Sequence, residues 1–158
     1  QALYLGDPAE DFGRKVGEQL YEAASNGDVE VVKKLIECGI DVNIPQPYES
    51  LGHVAARGGH LEVLDVLLSA GFHINTGASY GGSALVEAAT YGHVNCVRRL
   101  LVVDEIDFTL EDDDKTALDW ARDPSPHAEK TPEHALIEKL IMEAAKAKRC
   151  HLLSSCGF

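Results

Sequence analysis

The sequence predicts an all-α fold, a solenoid of stacked antiparallel helix pairs, and three observations carry this prediction. Pairs of small residues recur at intervals of 32 or 33 positions, and glycines keep the same register. Each interval holds a short alanine-bearing segment and then a longer segment with apolar residues at helical spacing. Since neither helix could bury its apolar face alone, successive copies are expected to stack. The small pairs begin at Ala23, Ala55, Ala88 and Ala121, and the glycines are Gly27, Gly59 and Gly92.

The first two copies, residues 18–44 and 45–77, show the helix pair most clearly. One glycine permits the tight turn between the two helices, and a second, Gly39 or Gly71, suits the left-handed residue that ends a helix. Leu67 lies in the middle of its helix between flanking copies, which predicts that it is a core residue. The apolar positions of the longer helices are Val29, Val32, Leu35 and Ile36, then Leu61, Leu64, Leu67 and Leu68.

A third copy spans residues 78–110 and a fourth spans 111–149, so that the repeat domain covers 18–149. The fourth copy is irregular because its turn, residues 123–131, is longer than the tight turns of the others. We expect 1–17 to be an N-terminal extension and 150–158 to be a C-terminal tail. Because the first residue is Gln rather than Met, we also expect the chain to be part of a longer protein.

The last predicted helix has the features of a cap. Thr131 supplies an N-cap hydroxyl and Pro132 suits the first helical position. Ser125 and Thr131 each precede a proline, as proline-directed phosphorylation sites do, and we expect the helix dipole to tolerate a phosphate on Thr131. The predicted apolar stripe of this helix is Leu136, Ile137, Leu140, Ile141 and Ala144.

These repeats resemble the ankyrin repeat, which has about 33 residues per unit. The resemblance covers residues 18–122 well and 123–149 loosely. It implies loops like β-hairpins that project between repeats. The Thr-Pro-Leu-His opening of the family is degraded in all four copies, and only His53 keeps its histidine. By this resemblance, His53 bonds to backbone between repeats.

The composition limits the classes of partner. The chain has 26 acidic residues against 14 Lys and Arg, a formal net charge of -12. A surface that follows nucleic-acid phosphates needs clustered Lys and Arg, so we expect no nucleic-acid partner. There is no apolar run as long as a membrane span. The four cysteines form no CxxC pair and favour reduced thiols over a disulfide framework, which predicts a cytoplasmic or nuclear protein.

The spacing of the candidate ligands argues against two possible metal sites. The four acids Glu111–Asp114 lack the spaced oxygen ligands and sixth-position glycine of a calcium loop, so a solvated loop tip is the better interpretation. His151 between Cys150 and Cys156 fits no structural zinc pattern. The sequence also has no nucleophile elbow, phosphate-binding glycine loop or HExxH motif. We therefore predict no metal, cofactor or catalytic site.

The resemblance implies a concave binding face made by the loop tips and the exposed ends of the short helices. Tyrosines at these positions suit a recognition surface because Tyr offers a large contact area and a polar group. The excess negative charge favours a partner segment that carries Lys or Arg. The predicted partner-binding residues are Tyr48, Glu49, Arg57, Tyr80, Tyr91, Asp112, Asp113 and Trp120.

The sequence thus predicts a monomeric, non-enzymatic interaction module, of the scaffold or adaptor kind, that binds a protein or peptide. One alternative is a targeting or autoregulatory segment of a larger enzyme or channel. A stand-alone enzyme is the third and least favoured hypothesis.

Overall fold

A computed structural model describes residues 8–43, 49–76 and 83–155, with side chains from 13 to 148. Within these residues the chain forms helices and a single two-stranded hairpin, β1–β2. None of the helices in the described ranges is both long and apolar enough to cross a membrane. The elements are α1 (Pro8–Asn26), α2 (Val29–Glu37), α3 (Leu51–Arg57), α4 (Leu61–Ser69), α5 (Ala84–Thr90), α6 (Val94–Leu101), β1 (Glu111–Asp112), β2 (Lys115–Thr116), α7 (Ala117–Arg122) and α8 (Pro132–Ser155).

The helices stack in two rows. The inner row is α1, α3, α5 and α7, and each helix packs on the next; the outer row is α2, α4, α6 and α8, packed in the same order. Small residues let the inner helices approach closely, and Ala55, Ala88 and Ala121 are all buried between neighbours. The predicted all-α solenoid of helix pairs is confirmed, and Leu67 is completely buried as expected.

The turn glycines have a left-handed backbone conformation, as the tight turns predicted from the sequence require. Gly27, Gly59 and Gly92 have φ of 77°, 71° and 77°, a left-handed region that side chains with a Cβ rarely adopt. Gly39 and Gly71 follow α2 and α4 with φ of 86° and 83°. These values confirm the prediction that glycine ends both helices.

A ladder of histidines links successive repeats through backbone carbonyls. His60 Nε2 lies 3.0 Å from the carbonyl oxygen of Ser25, and His93 Nε2 lies 2.8 Å from that of Arg57. The fourth repeat has no histidine directly before its second helix, because its turn is extended, and His127 within that turn is exposed. His134, from the first turn of α8, takes the equivalent place, with Nε2 3.0 Å from the Thr90 carbonyl oxygen.

His53 does not belong to this ladder, and the bond to backbone that the resemblance implies for it stays a prediction. Among the described residues, its Nε2 faces two carboxylates, 3.3 Å from Glu87 Oε1 and 3.8 Å from Glu49 Oε1. Its Nδ1 is buried without a hydrogen-bond partner among the described residues. Glu49, four residues earlier in the chain, and Glu87, on the neighbouring helix α5, are the two acidic side chains beside this ring.

Asparagines form a second ladder on the loop side of the repeats. Asn43 Nδ2 donates to the Gly71 carbonyl (3.0 Å) and its Oδ1 accepts from the His73 amide (2.9 Å). Asn75 makes the same pair of bonds to Glu105 and Asp107 of the next repeat. Each asparagine thus satisfies the backbone of the loop that follows it in space.

The terminal helix closes the array, with one departure from the predicted stripe. α8 begins at Pro132 as expected, and Ile137 and Ile141 are buried against the third and fourth repeats. Leu136 was assigned to this stripe but is 39% exposed, because its position falls on the outer face of α8. Near the other end of the helix, Lys148 Nζ donates to the carbonyls of Val103, Asp104 and Ile106.

The boundaries of the repeat domain remain a prediction. α1 begins at Pro8, so it includes part of the predicted extension 1–17. α8 continues to Ser155, past the predicted start of the tail at residue 150.

Candidate partner-binding face

The acidic segment forms the tip of the hairpin in the fourth repeat. Strands β1 and β2 pair antiparallel, with Glu111 opposite Thr116 and Asp112 opposite Lys115. Between them Asp113 and Asp114 have φ of 49° and 60°. Two successive positive φ values are typical of the tight turns that match hairpin twist, and Asp tolerates this region better than most side chains. The projecting hairpin predicted here is confirmed.

Trp120 on α7 lies under this hairpin and orients it. Its side chain is only 8% exposed, and its Nε1–H donates to the Asp112 carbonyl at 3.1 Å. The Lys115 ammonium lies 4.3 Å from the ring centroid and also pairs with Asp123 at 3.3 Å. Because the indole is nearly covered, its evident role is to hold the backbone of the tip, and direct contact with a partner stays a prediction.

A network of charged and polar side chains joins the first three inner helices. Arg57, the last residue of α3, donates from Nε to Glu87 on α5 at 2.9 Å and from Nη2 to Glu49, just before α3. Tyr21 on α1 donates its hydroxyl to the other oxygen of Glu49 at 3.0 Å. Such fork-shaped pairing of one guanidinium with carboxylates fixes the geometry of all partners.

The pKa shifts in this network follow from burial and pairing. Burial alone would raise the pKa of Glu49, but hydrogen bonds from Arg57 and Tyr21 outweigh it and lower this pKa. Burial raises the pKa of Glu87, and the bond from Arg57 offsets this only in part. Burial, with Arg57 nearby, lowers the pKa of His53 to about 4. The imidazole is therefore neutral at pH 7 between the two glutamates.

Asp112 connects the hairpin to the network. Burial and then the charge of Asp113 raise the pKa of its carboxyl, while the guanidinium of Arg57 acts in the opposite direction. The charge of Asp112 in turn helps raise the pKa of Glu87. Three carboxylates thus act on the single cation of Arg57 in this part of the described structure.

The predicted face is present in part. The structure brings together Glu49, Arg57 and Asp112, with Asp113 at the tip beside them. Tyr91 is the C-cap of α5 and is 36% exposed, so its ring is open to a partner. Tyr48 and Tyr80 lie outside the described residues. None of these placements tests binding, which stays a prediction.

Sequence reasoning missed Tyr21 and Glu87. Glu87 gave a usable signal, since it is a carboxylate within the short segment Ala84–Thr90, which is otherwise apolar or small and is buried throughout. A charged residue there requires a partner. Tyr21 gave a weaker signal, because it stands where the family places its histidine.

Removal of divalent cations is expected to leave the melting temperature unchanged, since burial between repeats holds the array together. In the described ranges no group of three or more His, Cys, Asp or Glu side chains is arranged to hold a metal ion. Differential scanning calorimetry with and without a strong chelator measures the effect. A fall of several degrees that zinc or calcium reverses would contradict the prediction.

The two rows of helices, the projecting hairpin and the inter-repeat ladders place the chain in the class of helical-repeat solenoids. Comparison with known families specifies which. A model described as Ankyrin repeats (3 copies) matches residues 52–123, and one described as Ankyrin repeat matches residues 20–46. Together they cover more than half of the chain, which belongs to the ankyrin repeat family. Ankyrin repeats bind other proteins and are not themselves catalytic.

Relatives with this similarity are much longer proteins. The chain is 35% identical to the E3 ubiquitin-protein ligase XBAT33 of Arabidopsis thaliana over 89 residues. This aligned region is 54% of this chain and 17% of the ligase. It is 33% identical over 127 residues to the E3 ubiquitin-protein ligase hecd-1 of Caenorhabditis elegans, 78% of this chain and 5% of that protein. An L-asparaginase of Dirofilaria immitis is 38% identical over 68 residues, 42% of this chain and 11% of the enzyme. The matched region is thus less than a fifth of each relative.

Proposed function

We propose that this chain is a non-enzymatic interaction module that binds a partner protein or peptide along its concave face. The observation that carries the proposal is the charge of that face: Glu49, Glu87 and Asp112 act on Arg57, and the hairpin tip adds further carboxylates. The excess of acid favours a partner segment with Lys or Arg, which would form charge-assisted hydrogen bonds there. We propose further that the module acts as a monomer and does not bind nucleic acid, in keeping with the net charge of -12.

The two kinds of residue on this face have different roles. Tyr91 would contribute an aromatic anchor, because a half-exposed ring at a helix end can be covered completely by a partner. Asp112 and Asp113 would instead attract the partner before contact, since exposed carboxylates act mainly on the rate of association. Arg57 has both its Nε and its Nη2 engaged by glutamates, so it would serve to hold the face in shape.

The test compares the partners that bind the wild type and a variant with Tyr48, Tyr80 and Tyr91 all changed to Ala. We expect the variant to remain folded by circular dichroism and to lose its main partner. For a captured partner, Tyr91→Ala alone should cost at least about 1–2 kcal/mol of binding free energy. Charge reversal of Asp112 and Asp113 should slow association, and salt should do the same to the wild type.

Val31→Ala is the matched control, because Val31 is also exposed but lies on the outer helix α2. It should leave partner binding unchanged. Identical partner profiles for the wild type and the triple variant would show that recognition lies elsewhere, on the turn 123–131 or the outer helices.

A second candidate is a targeting or autoregulatory segment of a larger enzyme. It is favoured by the lengths of the relatives, since two ligases and an asparaginase contain the matching region as a small part of their chains. The complete reading frame decides between the two candidates. A catalytic domain in the same frame would support the second, and its absence would leave the first.

A further inference from the structure

The turn between α7 and α8 is the largest irregularity of the array. It extends from 123 to 131, whereas α1 and α2 are separated only by Gly27 and Asp28. Several of its residues are exposed, among them Pro126, Glu129 and Lys130. Both of its hydroxyl residues, Ser125 and Thr131, precede a proline.

Thr131 is joined to the body of the protein through a buried histidine. The amide of Thr131 donates to His134 Nδ1 at 3.0 Å, and the hydroxyl oxygen lies 3.1 Å from the same nitrogen. His134 is completely buried, and its Nε2 lies 3.0 Å from the Thr90 carbonyl oxygen. Because a carbonyl can only accept, the neutral ring carries its proton on Nε2 and accepts at Nδ1. We call these three residues, Thr131, His134 and Thr90, the α8 clasp.

The clasp leaves little room at the hydroxyl. A methyl group at Gly92 would lie 3.1 Å from the His134 ring and 3.3 Å from Thr131 Oγ1. The hydroxyl therefore sits against the turn of the third repeat. A phosphate on this oxygen could not occupy the side that faces Gly92 without displacing this turn or the first turn of α8.

We propose that Thr131 is a phosphorylation site and that phosphate on it opens the α8 clasp. A proline-directed kinase would transfer the γ-phosphoryl group of a nucleoside triphosphate. The Thr131 Oγ–P bond forms, the bond from phosphorus to the leaving diphosphate breaks, and the hydroxyl proton passes to the base of the kinase. This inference goes beyond partner binding and does not depend on it.

Two consequences of the modification act in the same direction. The hydroxyl proton is lost, so Oγ can no longer donate to His134 Nδ1 or to the Glu133 carboxylate. The phosphate also brings a charge of about -1.5 to -2 next to the Glu133 carboxylate, whose pKa the hydrogen bond from Thr131 lowers, and the two anions repel each other. The loss of the donor and this repulsion move Thr131 away from His134, and the bond from the Thr131 amide to Nδ1 that orders the start of α8 is broken. This differs from the sequence-based expectation that the helix dipole would simply tolerate the phosphate.

The test treats the purified full chain with a proline-directed Ser/Thr kinase and ATP, and locates phosphate by mass spectrometry. Hydrogen exchange is then followed in the amides of α8. We expect phosphate on Thr131 and exchange in the first turns of α8 that is at least about tenfold faster, with α2 and α4 unchanged. Ser125→Ala should retain both effects.

Thr131→Val is the matched control, because it keeps the backbone bond to His134 and removes only the hydroxyl. It should take no phosphate at position 131, and treatment with the kinase should leave its exchange in α8 unchanged. A synthetic peptide of residues 123–137 serves as the accessible substrate. The proposal is overturned if kinase modifies the peptide but not Thr131 in the folded chain, if it modifies neither, or if phosphorylated chain exchanges like the unmodified one.

Discussion

Replacement of Leu67 by alanine is expected to lower the free energy of unfolding by about 2–5 kcal/mol. Leu67 is completely buried on α4 and belongs to the cluster that joins the first and second repeats. Removal of its isobutyl group loses apolar contact and leaves a cavity that helices in contact on both sides fill only in part. Since each repeat depends on its neighbours for burial, we expect one cooperative transition at a lower denaturant midpoint.

Urea melts followed by circular dichroism measure this loss, and Leu136→Ala is the matched control. Leu136 carries the same side chain on a helix but is exposed, so its truncation should change the unfolding free energy by less than about 0.5 kcal/mol. A loss below about 0.5 kcal/mol for Leu67→Ala as well would mean that the burial of Leu67 contributes little.

Acidification is expected to remove about 3 kcal/mol of stability through His53, since each pKa unit corresponds to about 1.4 kcal/mol. Burial holds the pKa of His53 at about 4, below the ordinary value of 6.5. As the pH falls, the unfolded chain takes up this proton first. The contribution of His53 is therefore fully present above pH 6.5 and is lost as the pH falls from 6.5 towards 4.

The carboxylates around His53 also titrate, and their effects differ in sign. The pKa of Glu87 is raised, so its protonation favours the folded state as the pH falls. The pKa of Glu49 is lowered, so its protonation favours unfolding. The effect of His53 must therefore be measured as a difference between the wild type and His53→Gln.

The measurement is the free energy of unfolding from urea melts at several pH values from 7.5 to 4, a range chosen from these pKa values. His53→Gln should lose less stability than the wild type over this range. His127→Gln, which changes an exposed histidine of the turn 123–131, is the control and should follow the wild type. If His53→Gln also follows the wild type, protonation of the buried imidazole is not linked to unfolding.

The sequence predicted those features that recur at a fixed interval. The period of about 33 residues can be recognised from the sequence alone. It predicts the two rows of helices, the turn glycines and the burial of Leu67. The hairpin tip followed from the same register. These features depend on local conformation and on contacts between equivalent positions of neighbouring repeats.

The features that were missed depend on departures from the period. His134 takes the place of a turn histidine, yet it lies 41 residues after His93 because the intervening turn is longer. Arg57 and Glu87 are not at equivalent positions, and only the lateral stacking of α3 on α5 brings them together. Leu136 was placed in the core because periodicity gives the width of an apolar stripe less accurately than its centre.

The histidine ladder determines which residues must match when repeats of this protein are exchanged with those of another. A Cβ at Gly27 would lie 2.6 Å from the His60 ring, and one at Gly59 would lie 2.6 Å from the His93 ring. Each glycine is therefore matched to a histidine on the adjoining repeat as well as to its own turn. A repeat moved into another array would need a predecessor with glycine at this position. Because the pairs Gly27–His60 and Gly59–His93 overlap in sequence, a chimaera joined anywhere between residues 27 and 93 separates a glycine from its histidine, and the two must be chosen together.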